Sequence, residues 1–167
     1  MSAYPWIQIA LVSGYSIVLI WSSFEDIRSR TIPNSAVISL FILFVLYCLA
    51  GFANWADGLI GGLIIFFPAL ALFHYGFMGG GDAKLMTAIA LWVGQQGILA
   101  FCLVTSLAGG MLAIFFIVRR WHESRVLIDT EPADLDAQAI VLPYGVAIAA
   151  GGLITIWIWQ LAYLGVI

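Results

Sequence analysis

Apolar residues gather into six runs along the chain: Pro5 to Phe24, Asn34 to Ala50, Asp57 to Tyr75, Leu85 to Val93, Ile98 to Val118 and Ile140 to Leu164. A helix that crosses a bilayer needs about 20 predominantly apolar residues, so five runs are long enough and the fourth, with nine, is not. To cross at all, the fourth run must recruit the GGGDAK stretch before it, which draws Asp82 toward or below the membrane surface. The pattern predicts an all-α integral membrane protein of six transmembrane helices in a single domain covering 1–167. The spans are expected over about 5–24, 34–50, 57–75, 80–94, 98–118 and 140–164, with the fourth short and glycine-interrupted at its cytoplasmic end. The segment 119–139 is the one sizeable polar loop.

The placement of charge tests the count. Arg28 and Arg30 lie between runs one and two, Lys84 between three and four, and Arg119, Arg120 and Arg125 between five and six. With six crossings all of these fall on one side, which the positive-inside rule makes cytoplasmic; with five, the last three would face outward. Both termini are therefore expected outside the cytoplasm. Trp6, Trp21, Trp55, Trp92, Trp121, Trp157 and Trp159 all fall near segment ends, where amphipathic rings favour the interface.

Composition agrees: 63% of the 167 residues are hydrophobic and 9% charged, too little polar surface for a soluble domain of this size. The net charge of -3 says little, and the absence of a basic stripe argues against nucleic acid as a partner. Cys48 and Cys102 sit inside apolar runs without CxxC spacing or a neighbouring His and read as packing residues. The N-terminus lacks a basic n-region and a clear cleavage site, so the first segment is expected to be retained. Gly58, Gly62, Gly109, Gly110, Gly151 and Gly152 read as close-packing positions in lipid, and Pro68 as a kink in the third helix.

Two acidic residues stand where apolar helix meets the cytoplasmic side: Asp26 in SSFEDIRSRTIPN and Asp82 in GFMGGGDAKLM. An ionisable residue drawn toward hydrocarbon costs about 2.5 to 3.5 kcal/mol on insertion scales and usually lines a polar cavity with a function. Gly79, Gly80 and Gly81 precede Asp82, and a short glycine-interrupted segment is a pointer to a site, because unwound backbone survives in a membrane only where protein or water satisfies it. Two carboxylates meeting there would suit aspartic peptidase chemistry, which needs no metal or cofactor. The pair shares one proton, so one member is a base where the other is an acid.

These residues resemble a family. Gly79-Gly80-Gly81-Asp82 fits the GxGD motif of intramembrane-type aspartic peptidases, and Ala83-Lys84-Leu85 fits the prepilin peptidase branch. Asp26 followed by Ile32-Pro33-Asn34 matches the same branch, as does Leu142-Pro143-Tyr144-Gly145 at the start of the last helix. The resemblance covers nearly the whole chain and is closest to the small peptidase-only enzymes of tight-adherence (Tad/Flp) pilus systems. It implies a multi-pass enzyme of the bacterial inner membrane that removes a short basic leader from a prepilin at the cytoplasmic face, with Asp26 and Asp82 catalytic. Larger bifunctional relatives carry an N-terminal region with paired CxxC motifs and methylate the new N-terminus. The absence of that region here implies neither methyltransferase activity nor a zinc site.

Among the other candidates, Glu25 is adjacent to Asp26 but about 100 degrees away around a helix, so it is read as an interfacial charge. Lys84 reads either as a cytoplasmic anchor or as a holder of a substrate carboxylate, and His74 as an interfacial histidine. Pro143, Tyr144 and Gly145 combine a helix start with a possible role in positioning substrate. The acidic stretch Asp129 to Asp136 would attract a basic leader. Two rivals stand beside the peptidase: a small proton-coupled transporter using Asp82 on a broken helix, and an inactive scaffold of a pilus machine. A transporter needs polar groups reachable from both faces, whereas both aspartates are expected on one.

Overall fold

The computed structural model describes residues 5–126 and 143–163, and these are entirely helical apart from short connections. The helices are α1 (Pro5–Ser29), α2 (Asn34–Leu49), α3 (Trp55–His74), α4 (Gly80–Val126) and α5 (Tyr144–Tyr163). Four are long and apolar enough to cross a membrane, and α2 is equally apolar but has only 16 residues. The stretch Asp129 to Asp136, and Leu142 of the last motif, lie outside the described residues.

A straight helix of the 47 residues of α4 would reach about 70 Å, more than twice the hydrocarbon thickness of a bilayer. It is not straight. Gly94 has φ 65° and ψ 175°, a conformation open to glycine and closed to side chains, and it breaks α4 into arms of residues 80–93 and 95–126. The start of the first arm and residues Thr105 to Ala113 of the second line one and the same cavity, so the chain turns back on itself at the break. The arm 80–93 is about 21 Å long, which is short for a bilayer core. The sequence predicts an outer connection spread over Gly94 to Gly97; instead one residue makes the turn, and Gln95, Gln96 and Gly97 are already helical.

Asp57 packs against this turn. It lies in the first turn of α3, and its carboxylate occupies the space where a Cβ on Gly94 would be. Gly61, one turn further along α3, lets the two backbones meet: a Cβ there would come within 2.8 Å of Ala90 O and of Gly94 C.

Lipid offers no hydrophobic drive between helices, so packing and internal hydrogen bonds must hold them. Around Trp92 on α4, Tyr15 of α1 and Tyr47 of α2 stack with ring centroids 4.6 and 5.1 Å away. The indole N–H of Trp92 donates to Leu40 O at 2.9 Å, and the ring is only 5% exposed. Trp157 donates to Ser16 Oγ at 3.0 Å. These two tryptophans therefore hold helices together and are not interfacial anchors, because each has an internal acceptor for its N–H. Trp6, Trp21, Trp55, Trp121 and Trp159 are exposed. At the end of the bundle remote from Asp26, Gln8 Nε2 donates to Tyr47 Oη at 3.2 Å and to Gln160 Oε1 at 3.1 Å, joining α1, α2 and α5. Cys48 and Cys102 are free thiols packed against the core. Helix α3 runs unbroken through Pro68.

Candidate active site

Helix α1 runs past the predicted end at Phe24 to Ser29, which places Asp26 in its last turns with 6% of its surface exposed. Such burial of a carboxylate requires compensation, and the start of α5 provides it. The first N–H groups of a helix have no partner of their own and lie at the positive end of its dipole. The backbone N–H groups of Gly145 and Val146 face the Asp26 carboxylate. Gly145 allows this approach, since a Cβ there would stand 2.8 Å from Asp26 Oδ2 and 2.9 Å from Cγ. Pro143 sits just ahead of the helix, where a missing N–H costs nothing, and its carbonyl accepts from Val146 N at 3.2 Å. Oδ2 of Asp26 is buried and makes no hydrogen bond among the described residues.

Asp82 is held by its own helix. Ala83 N donates to Gly79 O at 3.1 Å, so Gly79 caps α4 and Asp82 occupies the third helical position. From there its carboxylate reaches back to the Gly79 N–H, one half of a capping box. The expectation of an unwound glycine lead-in is thus corrected: Gly80 and Gly81 are helical, and none of Gly79, Gly80 and Gly81 has a positive φ. The three glycines serve close approach instead. Cβ atoms added at Gly79, Gly80 and Gly81 would come within 3.0 Å of Asp82 Oδ2, 3.1 Å of the Phe73 ring and 3.1 Å of Ile32 Cβ, respectively.

Both carboxylates line a cavity of about 1140 Å³, and they are near enough for the charge of one to act on the other. Gly79, Gly80, Gly81, Lys84 and Tyr144 line it too, whereas Pro143 and Gly145 are not among the lining residues, and Gly145 packs against the Asp26 carboxylate. Lys84 Nζ donates to Asn34 Oδ1 at 3.1 Å, tying the start of α4 to the start of α2 at the cavity's rim. Glu25 and His74 are not among the lining residues; His74 is exposed, with its ring against Tyr75. Gly109 and Gly110 line the cavity, and Gly110 meets nothing within 4 Å, so the packing role expected of it is not what it does.

Sequence reasoning missed four polar lining residues, Arg30, Thr31, Thr105 and Ser106. Arg30 has φ 54°, the left-handed conformation that usually ends a helix on glycine, and its N–H closes α1 onto Asp26 O at 3.0 Å. Its guanidinium lies within electrostatic reach of the Asp26 carboxylate. Thr105 and Ser106 come from the returning arm of α4, and their signal was available as adjacent hydroxyls inside an apolar run. Among the described residues, no group of three or more His, Cys, Asp or Glu side chains could hold a metal ion.

The sequence pattern of the type IV leader peptidase family matches residues 14–114, a stretch that contains both aspartates. The chain belongs to the type IV leader peptidase family. It is 30% identical over 139 residues to a prepilin leader peptidase/N-methyltransferase of Aeromonas hydrophila, covering 77% of this chain and 47% of that protein. A protein of the same name from Aeromonas salmonicida strain A449 is 29% identical over 150 residues, covering 83% of this chain and 50% of the relative. The chain thus spans about half the length of the curated relatives it matches. No solved structure matches it. The family match includes the Asp26 and Asp82 segments and stops short of the Pro143-Tyr144-Gly145 motif.

Proposed function

We propose that this chain is a membrane aspartic endopeptidase that removes the short basic leader from type IV prepilins of the Flp type, with Asp26 and Asp82 as its dyad. The observation that carries the reading is the convergence of two carboxylates from different helices on one cavity, within the stretch that matches the leader peptidases. One carboxylate takes a proton from water as the water oxygen adds to the scissile carbonyl carbon, and the protonated partner donates to the carbonyl oxygen. On collapse the C–N bond breaks, the leaving nitrogen takes a proton from the first Asp, and the second recovers its proton from the new carboxyl group. The transporter reading lacks support of this kind.

The topology that goes with this activity has six crossings, the arms 80–93 and 95–126 of α4 counting as two, both termini periplasmic and the dyad at the cytoplasmic face of the bacterial inner membrane. The basic residues favour it. The reading assigns cleavage, and not the methyl transfer in the relatives' names, to this chain: the groups that converge on the cavity are those hydrolysis needs. Its test is co-expression with candidate pilins of the same genome, scored by the gel shift on leader loss. Asp26→Asn and Asp82→Asn are each expected to lower cleavage by on the order of 100 to 10,000-fold, and substantial cleavage by either variant rules out the dyad.

A further inference from the structure

Two carboxylates can act as a pair only at a fixed spacing, yet the helices that carry Asp26 and Asp82 scarcely pack on each other. The ring contact between α1 and α4, Tyr15 against Trp92, lies about 15 Å along α4 from Asp82. Near the aspartates two other routes join these helices. One is α5, which holds Asp26 at its first N–H groups and packs along α4. The other is the connection from Arg30 to Asn34 between α1 and α2.

That connection is short and stiff. Arg30 N donates to Asp26 O at 3.0 Å, so the segment starts from the residue that carries the first carboxylate. The hydroxyls of Ser29 and Thr31 share a hydrogen bond of 2.8 Å. Pro33, with its ring-fixed φ of -67°, leads into α2, and its carbonyl accepts from Ala36 N at 3.0 Å. The connection then meets α4 on both sides of Asp82. Ile32 lies against Gly81, where an added Cβ would stand 3.1 Å from Ile32 Cβ and 3.5 Å from Ile32 N. Asn34 Oδ1 accepts from Lys84 Nζ at 3.1 Å. Gly81 and Lys84 are three residues apart and share one face of α4, so the first contact fixes how near the helix end comes and the second fixes its rotation. We propose that residues 30–34 form a strut that sets the separation of the two carboxylates, and that Asn34 is a positioning residue, acting on Asp82 through Lys84. The inference rests on the peptidase reading and deepens it.

The test uses the full chain in nanodiscs and a prepilin that the wild type cleaves. Asn34 is exposed at the start of α2 and carries no charge, so Asn34→Ala removes the acceptor and leaves Arg30 and Lys84, the other charged side chains that line the cavity, in place. It is expected to lower kcat by about tenfold or more with KM unchanged, since a misplacement on the order of 1 Å can cost about 100-fold. The pH range over which kcat is maximal should also narrow, because the singly protonated pair persists over a wider range the more strongly the two carboxylates interact. A rise in KM alone, full activity, or a lower kcat over an unchanged pH range overturns the proposal. Spin labels at Arg28→Cys and Phe77→Cys, both exposed, read the same geometry without turnover once Cys48 and Cys102 are replaced. Asn34→Ala is expected to shift or broaden the distance between them. A wild type that cleaves no prepilin defeats the peptidase reading, whereas an unchanged label distance defeats the strut.

Discussion

Gly145 has no room for a side chain because Asp26 is already there. Adding a methyl group would force the carboxylate away from the N–H groups that hold it. Gly145→Ala is therefore expected to lower leader cleavage by on the order of 100-fold in the co-expression assay while the protein still accumulates, whereas Glu25→Gln retains most activity. Arg30 makes the opposite case, a side chain where the backbone asks for glycine. Arg30→Gly should relieve strain of roughly 1 kcal/mol but also removes the cation beside Asp26, and so should reduce turnover. A gain in stability with full activity would show that the guanidinium does not act on the dyad. The aspartates were legible in the sequence because a charge among apolar residues is costly and conspicuous. Arg30 was not, since its position follows from where α1 ends, five residues beyond the apolar run that announced it.

Among the elements, α4 was the one most fully foreseen and most clearly misread. A nine-residue apolar run cannot span, so the recruitment of Gly80 to Lys84 followed from length alone, and the first arm indeed runs from Gly80 to the break at Gly94. The glycines were read as an unwound stretch interrupting the segment, yet Gly80 and Gly81 are helical, and what they meet is Phe73 and Ile32 from other segments. Only tertiary contact distinguishes the two readings. The one-residue turn at Gly94 was equally hidden, since the side chain packed against it, Asp57, is distant in sequence. Gly94→Ala combines a left-handed φ with a clash against that carboxylate, so it should destabilise the protein by about 1 to 3 kcal/mol or more in reversible unfolding in detergent micelles. Asp57→Ala removes the clash partner, so the Gly94→Ala cost should be smaller in its background. Additive losses would mean that the added methyl group does not meet the Asp57 carboxylate.

For the whole molecule, the two ends of the bundle differ in chemistry as well as direction. Asp26, Arg30, Lys84 and Asp82 gather at one end, and the opposite end holds the Gln8–Tyr47–Gln160 hydrogen bonds and the Asp57–Gly94 turn. The sequence conveyed this polarity through charge alone, because positive residues stay on the cytoplasmic side whatever the helices pack against. It could not convey which tryptophans turn inward, since that depends on an acceptor such as Leu40 O presented by another helix. If the arms of α4 cross separately, Asn54 and Gln96 face the periplasm while Arg28 and Arg120 face the cytoplasm. All four are exposed, so cysteines there are accessible to reagent, and Cys48 and Cys102 can be replaced beforehand. An impermeant maleimide applied to intact spheroplasts should label the cysteines at 54 and 96 and spare those at 28 and 120 until the membrane is broken. The decisive position is 120: labelling there from outside would mean that the arm 80–93 turns back without crossing, which would place Arg119 and Arg120 near the end of α4 on the other side of the membrane from the aspartates and defeat a cytoplasmic leader peptidase with six crossings.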